Sequence, residues 1–239
     1  QSLPAQHKPH ETFMPETPKP DALSGALSGA SVSDSQPLKE RKAEARLEAK
    51  RVRSACWQAY GVKASEQAAQ HAFQFLERDL KRQKDAGHSP IVALYYPLES
   101  EMDCRFLANM LDRAGYALAL PVVAAKGAPL QFKRWAPEDP LVKGAFSVME
   151  PEDPAPTCSP STLILPLLAF NGQANRLGYG GGFYDRTLHA HPHMRAFGLA
   201  FSAQFMADMP VGDLDFPLMG VITEDGVFIP HTGTRGPLA

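Results

Sequence analysis

The stretch IVALYYPLESEMDCRFLANMLDRAGYALALP, residues 91–121, decides the fold class. It opens on IVALYY (91–96), a short apolar run that reads as a buried strand. EMDCRFLANMLDRAG (101–115) carries apolar residues at helical spacing and reads as a helix ending near Gly115. YALALP (116–121) is a second strand. Working outward, PLQFKRW (129–135) reads as an edge or antiparallel strand, and STLILPLLAF (161–170) holds a third buried strand. GGFYDRTLHAH opens another helix, RAFGLAF (195–201) is a strand, and GVITEDGVFI (220–229) is a terminal strand-turn-strand. Strand and helix alternate along this region, which predicts an α/β fold with a mainly parallel sheet covered by helices.

Upstream of that pattern the chain is helical and then proline-rich. LKERKAEARLEAKRVRSACWQAY (38–60) has no Gly or Pro and is rich in helix formers. Ala45, Ala49, Val52, Cys56 and Ala59 recur at helical spacing as a stripe to be buried. Lys42, Arg46, Lys50 and Arg53 form a second, basic stripe, and Glu40, Glu44 and Glu48 a third. A separate helix is expected over Ser65 to Lys84, with Ser65 as its N-cap. Residues 1–37 hold six of the 22 prolines beside a small, polar SGALSGASVSDS run, and read as a disordered extension. Residues 38–230 are then one domain, and 231–239 a frayed tail.

Composition narrows the function. Lys plus Arg number 24 against 26 Asp plus Glu, a formal net charge of −2. That balance argues against bulk binding to nucleic acid or an anionic membrane while leaving room for a local basic pocket. Cys56, Cys104 and Cys158 are odd in number and widely spaced, which suits a reducing cytoplasm better than a disulfide framework or a zinc site. No apolar run is long enough to span a bilayer.

RLGYGGGFYDR (176–186) carries the chemistry. It lies after a buried strand and before a helix, where ligands sit on open α/β sheets. Gly178, Gly180, Gly181 and Gly182 let the backbone approach a ligand and turn successive N–H groups into a concavity. The helix start, Arg176 and Arg186 add positive charge, and Asp185 is placed to hold Mg²⁺ beside a bound phosphate. A glycine-rich turn with flanking surface charge is the plainer reading, but the coincidence of glycines, arginines, carboxylate and position favours an anion site. No G-K-[ST] follows, so this is not a P-loop. HAHPH, with His189, His191 and His193, reads as a surface helix end broken by Pro192.

On these and further motifs the chain resembles the 5-formyltetrahydrofolate cyclo-ligase (5,10-methenyltetrahydrofolate synthetase) family. The resemblance rests on K-x-x-x-R at Lys42 and Arg46, on Tyr96, Glu101 and Asp103, on LPVV (120–123) and on MEP (149–151). It continues through LPLLAFNGQANRLGYGGGFYDR (165–186), GLAFSAQ (198–204), Asp215 and Thr223. It implies a three-layer α/β/α sandwich related to ribose-5-phosphate isomerase and CoA transferases. It also implies ATP- and Mg²⁺-dependent conversion of 5-formyltetrahydrofolate to 5,10-methenyltetrahydrofolate, ADP and phosphate.

Carried over, Lys42 and Arg46 contact ATP phosphates together with Arg176, Leu177, Gly178, Tyr179, Gly180, Gly181, Gly182, Phe183 and Tyr184. Asp185 and Asp215 bind Mg²⁺, Tyr96 and Glu101 line the folate pocket, and Glu101 and Arg176 serve catalysis. The implied partners are small molecules, with no nucleic acid and no membrane, and the implied state is a cytoplasmic monomer or weak homodimer. Asn171, Ala174 and Cys104 stand where the family usually has Asp, Gly and Thr. A sugar-phosphate isomerase or CoA transferase on the same sandwich would need a carboxylate base or glutamate nucleophile, for which no clear motif appears. A non-catalytic nucleotide- or folate-binding homologue is the other alternative.

Overall fold

Strand β1, Ile91–Ala93, lies near the middle of a seven-stranded sheet in the computed structural model, which describes residues 37–230. The proline-rich residues 1–36 and the expected tail at 231–239 lie outside the described residues. β1 pairs parallel with β2 (Ala117–Val122) on one side and with β6 (Thr162–Pro166) on the other. β9 (Arg195–Leu199) and β10 (Gly220–Thr223) extend the parallel run beyond β6. The antiparallel strands β3 (Gln131–Arg134) and β11 (Gly226–Phe228) close the two edges, as the edge reading of 129–135 and the terminal strand-turn-strand predict.

Alternation along each strand divides the core in two, because successive side chains point to opposite faces. Val92, Leu94, Leu118, Leu120, Ile164 and Phe197 meet helices α1 (Leu38–Asp85) and α2 (Arg105–Arg113) on one face. Ala93, Ala119, Leu163, Leu165, Ala196 and Val221 face the opposite way, toward Leu188 of α3 (Phe183–Ala190). Both faces of a parallel sheet are thereby covered, which such a sheet requires.

Three local readings are corrected by the fold. The two helices expected before β1 do meet at a break, a kink at Tyr60 where φ is −154°, but they form one 48-residue stretch in which the second helix starts right after the kink, ahead of Ser65. Ser65 is accordingly no N-cap. It sits mid-helix, with its hydroxyl donating 2.7 Å back to the Gly61 carbonyl and accepting the Asp103 amide. GVKA (61–64), directly after the kink, is itself helical, since one Gly costs only about 1 kcal/mol in a helix. Within the apolar stripe Ala49, Val52 and Cys56 are buried, but Ala59, one residue before the kink, is exposed. Finally, α2 begins at Arg105 rather than 101, because the Asp103 carboxylate accepts the Arg105 amide at 2.9 Å and starts the helix there. Glu101 thus precedes α2.

Two short hairpins were not legible as strands. One joins β4 (Leu141–Lys143) to β5 (Met149–Pro151) through a turn holding Phe146 and Ser147 at positive φ. The other pairs β7 (Ala169–Phe170) with β8 (Arg176–Leu177), immediately before the glycine-rich loop.

Candidate functional site

The loops leaving the C-terminal ends of β1, β6 and β9 converge, and the first half of α1 lies across them. Such ends are where open parallel sheets bind ligands. Lys42, Arg46, Lys50 and Arg53 are one face of α1 because residues three and four apart stack on a helix, and each reaches a different part of the site. Lys42 Nζ lies 2.5 Å from one Asp215 oxygen and 2.7 Å from the other. Arg46 Nε donates to the Gly178 carbonyl at 2.8 Å. Lys50 stands 5.5 Å from the centre of the Tyr179 ring. Arg53 is 1% exposed and donates to the Tyr179 hydroxyl at 2.5 Å and to Ser100 Oγ at 3.2 Å.

The glycine-rich loop bends as its composition requires. Gly180 and Gly182 have φ of 96° and 67°, where L-residues are strained. A Cβ on Gly182 would also come within 2.6 Å of the Arg186 guanidinium. Arg186 donates to the Gly181 carbonyl at 2.9 Å. Arg176 is buried, donates to Asp185 at 2.7 Å and to the Phe216 carbonyl at 2.8 Å, and has its pKa lowered by burial against the opposing pull of Asp185. Leu177 packs its side chain into the core with Ala49 and Met209. Phe183 faces Phe146, ring centres 5.7 Å apart, and burial pushes the Tyr184 phenol up.

Glu101 is 3% exposed. Its Oε2 accepts the Leu98 amide at 2.8 Å, its Oε1 accepts the Tyr179 hydroxyl at 2.9 Å, and Arg53 stands 3.7 Å away. Burial holds this carboxyl above the usual range, because desolvation outweighs the pull of Leu98, Tyr179 and Arg53. Beyond it Tyr96 borders a cleft of about 360 Å³, with Arg105, Trp135, Leu141 and Met149. The Arg105 guanidinium lies 5.6 Å from the Tyr96 ring centre and pairs with Asp103 at 2.6 Å. The buried Trp135 Nε1 has no hydrogen-bond partner among the described residues.

The predicted metal residues can be tested as donors. Asp185 uses Oδ1 for both Arg176 and the Phe216 amide, and no hydrogen bond from the described residues reaches its Oδ2. Asp215, next in sequence to Phe216, holds Lys42 and the Gly212 amide. Among the described residues they form a pair of carboxylates rather than a cage of three or more ligands. A pair fits Mg²⁺, which commonly takes one or two carboxylates and fills its octahedron with waters and phosphate oxygens. His189, by contrast, is held to its own helix through the Asp185 carbonyl, and His191 and His193 stand edge to face.

The predicted residues therefore gather in two connected places. Lys42, Arg46, Arg176, the glycines, Asp185 and Asp215 surround the loop; Tyr96 and Glu101 face the β1–α2 side. Tyr179, expected at the loop, has its hydroxyl on Glu101 and so spans both. Arg53 was the residue missed. Its place in the basic stripe, eleven after Lys42, was the available signal.

Residues 38–224 match the model of the 5-formyltetrahydrofolate cyclo-ligase family. The 5-formyltetrahydrofolate cyclo-ligase of Escherichia coli (strain K12) is 36% identical over 144 residues, 57% of this chain and 79% of that protein. The 5-formyltetrahydrofolate cyclo-ligase of Haemophilus influenzae is 28% identical over 190 residues, 77% of this chain and 97% of that protein. Among solved structures, the NMR structure of Aquifex aeolicus 5,10-methenyltetrahydrofolate synthetase superposes with a TM-score of 0.64 at 27% identity, covering 82% of this chain and 96% of that one.

Proposed function

The chain belongs to the 5-formyltetrahydrofolate cyclo-ligase family, and on that premise we propose that it is the enzyme that closes 5-formyltetrahydrofolate to 5,10-methenyltetrahydrofolate, using ATP and Mg²⁺ and releasing ADP and phosphate. The observation that carries this reading is the basic stripe of α1 laid along the glycine-rich loop, beside a buried glutamate and a cleft. A formamide oxygen is a poor leaving group, and phosphorylation makes it a good one. In this proposal the formyl oxygen attacks the γ-phosphorus in line, the bond to the β–γ bridging oxygen breaks, and ADP departs. N10 then adds to the activated carbon and gives up its proton, and the carbon–oxygen bond breaks with loss of phosphate.

Such a reaction asks the protein for positioning and charge neutralisation rather than a covalent nucleophile. Lys42, Arg46 and Arg176 hold the phosphates, with the backbone from Leu177 to Tyr184 shaping their seat. Asp185 and Asp215 would hold Mg²⁺, which supplies charge neutralisation at the transferring phosphoryl group. Tyr96 flanks the folate, and Glu101 either orients the pterin through its N–H donors or takes the proton. A Glu101→Gln variant separates these roles: an unchanged kcat leaves orientation alone. A relationship of this sheet to ribose-5-phosphate isomerase folds, action as a monomer or weak homodimer, and a cytoplasmic setting for the three free cysteines belong to the same proposal.

Incubation with 5-formyltetrahydrofolate, ATP and Mg²⁺ tests it. Growth of the methenyl-folate absorbance is expected. No growth, while a known enzyme reacts alongside, overturns the reading; binding of both ligands without turnover selects a non-catalytic homologue.

A further inference from the structure

Tyr179 is 45% exposed, so no core packing fixes its ring. What fixes it is a chain of donors: Arg53 to the Tyr179 hydroxyl at 2.5 Å, and that hydroxyl to Glu101 at 2.9 Å. The two ends of this chain are almost fully buried, Arg53 at 1% and Glu101 at 3% exposed. The middle member belongs to the glycine-rich loop, where Gly180 and Gly182 take positive φ and Arg46 holds the Gly178 carbonyl to α1. Arg53 also grips the β1–α2 loop through Ser100, between Glu101 and Glu99, the latter at φ 47°.

We propose that Arg53, Tyr179 and Glu101 link the two ligand sites, so that nucleotide at the glycine-rich loop and folate beside Glu101 tighten each other's binding. The inference rests on the cyclo-ligase reading. When the loop moves off α1, Tyr179 leaves with it. Glu101 Oε1 then loses its hydroxyl donor and the buried Arg53 loses an acceptor, an arrangement a buried charge pair tolerates poorly. A nucleotide that seats the loop therefore also sets the Glu101 carboxylate for the folate, and folate that engages Glu101 returns the loop to its closed place. Neither ligand pays the ordering cost twice, which is how shared ordering produces cooperativity, and the effect is reciprocal. Arg53 is a positioning residue in this scheme, since it acts through Tyr179 and Glu101.

The test is calorimetric titration of the full chain with a non-hydrolysable ATP analogue and Mg²⁺, with and without saturating 5-formyltetrahydrofolate. The wild-type chain is expected to bind the analogue about five-fold or more tightly when folate is present, the lower end of ordinary coupling. Tyr179→Phe, which removes only the hydroxyl, and Arg53→Met are expected to bring that ratio close to one, whatever they do to each affinity alone. If Arg53→Met fails to fold, Tyr179→Phe decides. A wild-type ratio retained in Tyr179→Phe overturns the link, as does a wild-type chain that binds both ligands with no coupling. A wild-type chain that binds neither ligand and gives no turnover overturns the cyclo-ligase reading instead.

Discussion

Ala174 carries its backbone at φ 55°, a region where an L-residue is strained and glycine is not, and the site is fully buried. The glycine that the resemblance implies at this position would thereby have a physical reason. Left-handed backbone costs an L-residue about 1–2 kcal/mol, and losing the buried methyl gives back about 0.8 kcal/mol. Ala174→Gly is expected to stabilise the fold by up to about 1 kcal/mol, read as a higher urea midpoint at unchanged slope. Asn171 needs no such relief: its Oδ1 accepts the Gln173 and Asn175 amides at 3.1 and 3.0 Å, which an aspartate would do equally. Cys104 donates its thiol to the Tyr95 carbonyl, as a threonine hydroxyl could, and burial pushes that thiol up. Glu101 gives a prediction in pH. Its carboxyl is raised by burial, so the folded chain holds that proton more tightly than the unfolded chain does. The stability this supplies is complete below the ordinary glutamate value and is lost as pH rises through the folded value. Glu101→Gln, which cannot ionise, is expected to remove this part of the pH dependence, whatever the loss of the Arg53 partner does to the midpoint itself; melts repeated across pH check the slope.

At the scale of elements, α1 has two duties divided by the kink at Tyr60. Its first half presents the basic stripe to the loops. Its second half buries Ala68, Ala72, Leu76 and Leu80 against the sheet and α2. Leu76 is 1% exposed, so Leu76→Ala is expected to cost about 2–5 kcal/mol, measured by chemical unfolding. The same variant should leave the proposed nucleotide half of the site intact at temperatures where it remains folded. The strands were legible because each of 91–96, 116–121, 161–170 and 195–201 is an apolar run between turn signals. The break in α1 was legible but the start of its second half was not, because Gly61 and Ser65 look like a stop and a cap although 61–65 are helical directly after the kink at Tyr60. The hairpin of β4 and β5 was hidden for a related reason: its strands are three residues each, with partly exposed side chains and no apolar run to mark them.

In the whole molecule, the sheet's parallel order brings loops far apart in sequence to one end, and α1 ties them together. That assembly was readable only in part. Glycine density and charge marked the loop, whereas the partnership of Arg53 with Tyr179 and Glu101 depends on spatial proximity across 126 residues of chain. Ligands seated as proposed would join separate elements, so binding should stabilise all of them together. An ATP analogue with Mg²⁺ at about a hundred times its Kd adds about 2.7 kcal/mol, a rise in melting midpoint of roughly 5–10 °C for a chain of this size; a thermal-shift series over nucleotide concentration checks it, and no rise means that the folded chain does not bind the nucleotide. The pairing of Lys42 with Asp215, of Arg176 with Asp185 and of Arg46 with a loop carbonyl has one more consequence. The positive groups here are already engaged, so an arriving polyanion exchanges places with internal partners and displaces few ions from solution. Affinity should then decline only gently as ionic strength rises, unlike that of an open basic groove, whose grip depends on freeing a condensed ion atmosphere.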